Sequence, residues 1–122
     1  MTKHKQKLGK WGELAAANYL IEKGYLITAS NVRTPHGEID LIADYMGELV
    51  FVEVKTRSSG EFGRPEDAIT PSKLDHMIES AQYYIQSNFS GTEPNWRIDV
   101  IAIRTNTGDS NIEIIHFENV AS

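Results

Sequence analysis

The chain has 122 residues, a length that supports one domain around one core and not two. It is 40% hydrophobic and 24% charged, and its formal net charge of −5 counts against a surface that binds nucleic acid non-specifically as a whole. With no cysteine, disulfides and thiolate metal sites are excluded, any metal must be held by carboxylate, histidine or carbonyl ligands, and a cytoplasmic location is favoured.

Residues 1–8 read as a basic, mobile arm: Lys3, Lys5 and Lys7, continued by Lys10, either solubilise the terminus or touch phosphates. They lack the apolar stretch of a signal peptide, and no run anywhere is long and apolar enough to span a bilayer, so no membrane partner is expected. Residues 9–23 are predicted to be helical, with Trp11, Leu14, Ala15, Asn18 and Ile21 at helical spacing and Gly24 as terminator; Trp11 and Trp96 are expected to fill core. "YLITASNVR" is a short, irregular strand, and "TPHG" a turn. Residues 38–44 and 48–56 are predicted strands joined at Met46-Gly47; methionine is a poor residue at positive φ, so a longer loop is an alternative. "SSGEFGRPED" is a loop. A second helix opens at "ITPSKL", capped by Thr70 with Pro71 in its first position. "WRIDVIAI" and "IEIIHF" are the last strands, separated by the turn "RTNTGDSN". The order αβββαββ predicts an α/β fold, a mixed sheet with a helix on either face.

Charges interrupt the greasy hairpin "GEIDLIADYMGELVFVEVKTR". Residues two apart in a strand share a face, which groups Glu38 with Asp40, and Glu53 with Lys55. A two-residue turn at Met46-Gly47 sets Asp40 opposite Glu53, where two like charges repel. A divalent cation such as Mg²⁺, which prefers hard oxygen ligands and phosphate, turns that repulsion into binding. Lys55 then faces the position of an attacking water or a scissile phosphate, and the set makes a phosphodiesterase site. The plainer alternative is a structural ion pair between Lys55 and one acid.

"GEID", then twelve residues, then "EVK", preceded by a helix with "GELAA" and followed by a "TPSKL" helix, resembles the PD-(D/E)xK nuclease superfamily. More closely it is similar to the YraN family, small bacterial proteins related to Holliday-junction resolvases. The resemblance covers roughly residues 7–104. It implies a restriction-endonuclease-like core, with Asp40, Glu53 and Glu13 as metal ligands for Mg²⁺ or Mn²⁺ and Lys55 as the catalytic lysine. It also implies a DNA substrate, branched or structured, and a homodimer that cuts two strands. The superfamily's proline is replaced by Ile39, immediately before Asp40.

Arg33, Arg57, Lys73 and Lys10 are the candidate nucleic-acid contacts, with His36 and Arg64 in the same flanking loops. Lys73 falls in the first turn of the second helix, where a cation opposes the macrodipole unless an anion visits. Glu38, on the face of Asp40, is expected at the solvated end of its strand, with a second acidic oxygen for the site as the alternative; His76 is expected on a helix surface, and Asp99 in a structural pairing with Arg97 or a backbone donor. The reading is therefore a metal-dependent DNA endonuclease, against two alternatives: a nucleic-acid-binding module that uses the same cleft without catalysis, and an interaction domain whose acids form an ion-pair network. The residues do not distinguish DNA from RNA.

Overall fold

A computed structural model describes residues 3–58, 67, 69–105 and 112–121, with side chains described from residue 8 onward and up to residue 57 in the first segment. The elements are α1 (Lys3–Glu22), β1 (Leu26–Thr34), β2 (Gly37–Tyr45), β3 (Glu48–Ser58), α2 (Pro71–Asn88), β4 (Trp96–Thr105) and β5 (Ile112–Phe117). This is the predicted αβββαββ order. The five strands form one sheet in the order β1-β2-β3-β4-β5. Three neighbouring pairs are antiparallel, while β3 and β4 run parallel through the α2 crossover. No helix among the described residues is long and apolar enough to cross a membrane.

The hairpin closes in the tight form. Tyr45 pairs with Glu48 across Met46 and Gly47, which sit at φ 48° and 83°. Methionine accepts the left-handed conformation because two-residue turns with positive φ match the twist of the flanking strands. α2 begins as predicted: the Thr70 hydroxyl accepts from the Lys73 backbone N–H at 3.2 Å, with Pro71 in the first turn.

Each face of the sheet carries its own apolar cluster. On one, Ala16 and Leu20 of α1 pack against Leu41, Val50, Val52 and Ile101. On the other, Ala81 and Ile85 of α2 pack against Ile42, Leu49, Phe51 and Ile98. The side of α1 that meets the sheet is thus not the predicted stripe. Trp11, expected in the core, is 40% exposed, and Leu14 and Ile21 are more so. Trp96 is half-buried and meets Phe51 edge-on. Moreover, α1 starts at Lys3, so residues 3–8, expected in an arm, lie in its first turns.

Small residues decide which face of α1 docks. A Cβ on Gly12 would stand 1.9 Å from Thr56 Oγ1, so the helix can approach β3 this closely only without a side chain there. Gly12→Ala is therefore expected to cost about 1–3 kcal/mol by overpacking, despite alanine's better helix propensity. Urea unfolding checks this, and adding Thr56→Ala should restore most of the loss.

Candidate active site

The site forms where β2 and β3 part. Their ladder runs from Tyr45↔Glu48 to Leu41↔Val52 and ends there, although both strands continue. Beyond it, face alternation breaks: Ile39 joins the α2-side cluster while Leu41 belongs to the α1 side. Between them, the Asp40 carboxylate reaches across the gap and accepts the Val54 backbone N–H at 2.8 Å. A side chain takes the donor that a ladder carbonyl would otherwise satisfy, so the strands separate without orphaning a buried N–H.

Acids from three elements meet in this opening. Glu13 of α1 and Glu38 and Asp40 of β2 each bring one carboxylate oxygen within 4.8 Å of the others. Glu53 of β3 stands close enough to Asp40 to perturb its carboxyl. Burial, then the neighbouring Glu53 carboxylate, raise the Asp40 carboxyl to about 8, against partial relief from the Val54 N–H and Lys55. Burial also raises Glu13, as do Asp40 and Glu38, while Asn31 opposes the shift. Asn31, held at φ 51°, donates to Glu13 Oε1 at 2.8 Å and to Glu38 Oε1 at 3.2 Å, tying the two acids together. Crowded hard-oxygen ligands whose charges lack sufficient compensation fit a divalent cation such as Mg²⁺ or Mn²⁺.

Asp40 has a consequence for stability that can be measured without metal. Its carboxyl ionises near 3.8 in an unfolded chain and near 8 in the fold. The folded state thus binds the extra proton between those values, and stability falls as pH rises through about 8. Asn mimics the protonated form and can still accept from Val54. Asp40→Asn is expected to stabilise the protein by about 1–3 kcal/mol at pH 8 and by almost nothing at pH 4. Urea melts in chelator at the two pH values measure the difference.

Cations line the opposite rim. Lys55 Nζ stands 4.0 Å from Glu53 Oε1, with both side chains about three-quarters or more covered. Lys73, in the first turn of α2, is pushed below the ordinary lysine range by burial and then by the neighbouring charges of Lys55 and Arg57. A cleft lined by Glu38, Glu53, Lys73, His36, His76 and Ser80 opens beside the acids. Arg57 donates to the Thr56 carbonyl at 3.2 Å.

The sequence-predicted residues thus divide. Asp40, Glu53, Lys55 and Glu13 are brought together, and Lys73 and Arg57 stand beside Lys55. Arg33 is almost fully exposed, 3.9 Å from Glu38. Lys10 is exposed on α1 within electrostatic reach of Glu13. His36 lies 3.1 Å from Glu79 rather than free on the rim, and His76 is exposed on α2 as expected. Arg64 lies outside the described residues. Glu38, assigned to a solvated strand end, keeps that partial exposure but converges with Glu13 and Asp40. Its position two residues before Asp40 on one face is what offered the alternative of a second acidic oxygen. Asn31 had none, because nothing local links residue 31 to residue 13.

A second polar cluster lies on the α1 side of the sheet. Arg97 donates to Asp99 Oδ1 at 3.0 Å, to Glu48 at 2.9 Å and to the Tyr25 hydroxyl at 2.8 Å. The fully buried Asp99 also meets His116 Nε2 at 2.7 Å and accepts the Asn119 backbone N–H at 3.0 Å. The predicted pairing of Asp99 with Arg97 or a backbone donor takes both forms.

Comparison with known proteins agrees with the whole-chain pattern. The model of "Uncharacterised protein family UPF0102" matches residues 12–103. A UPF0102 protein of Syntrophomonas wolfei is 43% identical over 110 residues, covering 90% of this chain and 95% of its own. One from Syntrophotalea carbinolica is 39% identical, covering 96% of this chain and 93% of its own. One from Chlorobium phaeobacteroides is 48% identical over a shorter span, 79% of this chain and 75% of its own. With the matched segment holding every acid of the cleft from Glu13 to Glu53, the chain belongs to the UPF0102, or YraN, family.

Proposed function

We propose that the protein is a Mg²⁺- or Mn²⁺-dependent endonuclease that hydrolyses phosphodiester bonds in DNA, with branched or otherwise structured DNA as its substrate class. One observation carries this reading: acids from α1, β2 and β3 crowd into the gap between parted strands, with Lys55 and Lys73 on the facing rim. Glu13, Glu38, Asp40 and Glu53 would hold the ion. A bound divalent cation supplies Lewis acidity to a phosphate oxygen and neutralises charge there.

The remaining work falls to this chain's own side chains. Asp40 is pinned by Val54, so its free oxygen has one direction to point. Lys55 offers a compact ammonium to the charge that develops on the phosphate and to the attacking water, and Glu53 orients it. Lys73 and Arg57 hold the flanking backbone, which carries no sequence information. A phosphodiester enclosed by acids alone would be repelled; the cationic rim makes the cleft acceptable to it.

The test is incubation of purified protein with linear duplex, single-stranded and four-way-junction DNA in Mg²⁺, in Mn²⁺ and in chelator. Cleavage confined to the metal-containing samples supports the reading. Salt-sensitive binding with every substrate left intact favours the binding module instead, and an absence of both favours the interaction domain. Cutting two strands at one place needs two such sites, so the reading extends to a homodimer.

A further inference from the structure

The break in face alternation around Asp40 has a counterpart in the neighbouring strand. Ile39 and Ile42 of β2 both belong to the α2-side cluster, and their partners in β1, Val32 and Ala29, pack against the same cluster. Residues three apart in a regular strand point to opposite faces, so both strands change face between these pairs. In β1 the change coincides with Asn31, at φ 51°. Asn31 stands between the Ser30↔Leu41 and Val32↔Ile39 pairs, opposite Asp40. A left-handed residue inside a strand is strained unless it is glycine, although asparagine tolerates the conformation better than most. Asn31 is exposed, so no core packing requires its side chain. Strain of this kind persists where a functional constraint holds it.

The conformation aims the carboxamide. Asn31 Nδ2 carries two N–H donors and reaches Glu13 Oε1 of α1 at 2.8 Å and Glu38 Oε1 of β2 at 3.2 Å. Each acid keeps its Oε2 outside these bonds. The choice of an amide matters. A lysine or arginine here would pair with the two carboxylates and take the place of a cation. Asparagine orders them and leaves their charge in place. The structural network around Asp99 is built the other way, with the Arg97 guanidinium set directly against its acids. The cations nearest Glu13 and Glu38, Lys10 and Arg33, are exposed.

We infer that Asn31 is a positioning residue for the divalent-ion site: its carboxamide, aimed by the left-handed backbone, holds Glu13 and Glu38 beside Asp40 without neutralising them. The inference rests on the metal-dependent reading above and adds to it a residue that acts through two ligands rather than as one. Glu13 and Glu38 are long side chains with rotamer freedom to lose, and they come from different elements. With Asn31 in place, part of that ordering precedes the ion, which then binds more tightly.

Asn31→Gly keeps the left-handed backbone at the lowest steric cost and removes the amide. In chelator its melting temperature should stay within about 3 °C of wild type, because the lost bonds are exposed and relief of strain offsets the glycine's added freedom. Calorimetry with Mn²⁺ should show an affinity about tenfold or more weaker, the usual cost of removing a group that orients metal ligands. In a Glu38→Gln background the same substitution should cost clearly less, since one of its two tethers is already altered. Unchanged Mn²⁺ affinity in Asn31→Gly, or an equal loss in both backgrounds, overturns the inference and leaves the nuclease reading standing. A loss of affinity that comes with a larger fall in melting temperature also overturns it, and makes Asn31 a holder of the strand. A wild-type protein that binds no Mn²⁺ overturns both readings. Weakened binding in Asn31→Gly beside a wild type that cleaves no DNA supports the positioning role and removes the nuclease.

Discussion

Lys55→Ala is expected to lower metal-dependent DNA cleavage by about 100-fold or more, the usual cost of removing a group aimed at developing charge. Its ammonium is 4.0 Å from Glu53 and next to Lys73, at the boundary between the acidic opening and the cationic rim. The side chain is about a quarter exposed, so truncation leaves the core intact and the melting temperature close to wild type. Asp40→Ala should abolish cleavage by a different route: it removes a ligand and leaves the Val54 N–H without its acceptor. The two variants are separated by calorimetry with Mg²⁺. Lys55→Ala should still bind the ion, and Asp40→Ala should bind it far more weakly. If Lys55→Ala cleaved as fast as wild type, the lysine would be no more than the structural partner of Glu53.

The largest stability effect is expected away from the cleft, at Asp99. Burial alone would raise its carboxyl, but His116, the Asn119 N–H and Arg97 outweigh that and hold it below the usual carboxylate range. Asp99→Ala removes one of the carboxylates that compensate the largely covered Arg97 guanidinium, leaving Glu48 and Glu118, and takes away the acceptor of the Asn119 backbone N–H. The expected loss is about 3–5 kcal/mol, the range for breaking a buried pair by deleting one partner. Asp99→Asn keeps an acceptor and should lose less. Because the folded carboxyl is depressed, its stabilisation is present above the ordinary aspartate value and disappears as pH falls through the lower folded one. Acid unfolding followed by circular dichroism should therefore show wild type losing stability more steeply below the ordinary aspartate range than the remaining interactions alone would give, and Asp99→Asn should flatten that limb.

The hairpin shows how far local pattern reaches. Strand propensity and turn chemistry placed Asp40 and Glu53 in register, and the ladder from Tyr45↔Glu48 to Leu41↔Val52 extrapolates to that pairing. Alternation treated both acids as projecting from one face. In the fold, Asp40 lies across the gap toward Val54 instead, since an open ladder leaves an N–H to be satisfied. No local rule signals where two strands stop pairing.

The first helix makes the same point about packing. Its spacing marked Trp11, Leu14 and Ile21 as one stripe, and that stripe exists, but it faces outward. Close approach to Thr56 at Gly12 selects the face with the least side-chain volume. Periodicity finds apolar faces; it does not say which one the sheet will take when a helix has two.

By itself the sequence determined the order of elements, the position of the hairpin turn, the cap of α2 and the presence of acids and a lysine in strands, because each depends on propensities and spacings within a few residues. Tertiary structure alone decided that Glu13 and Glu38 converge on Asp40, that Asn31 ties two of these acids together, and that α1 turns its bulky side away from the sheet. Those outcomes depend on distances between segments far apart in the chain, which are set by how closely backbones can pack and by which buried donors still need a partner.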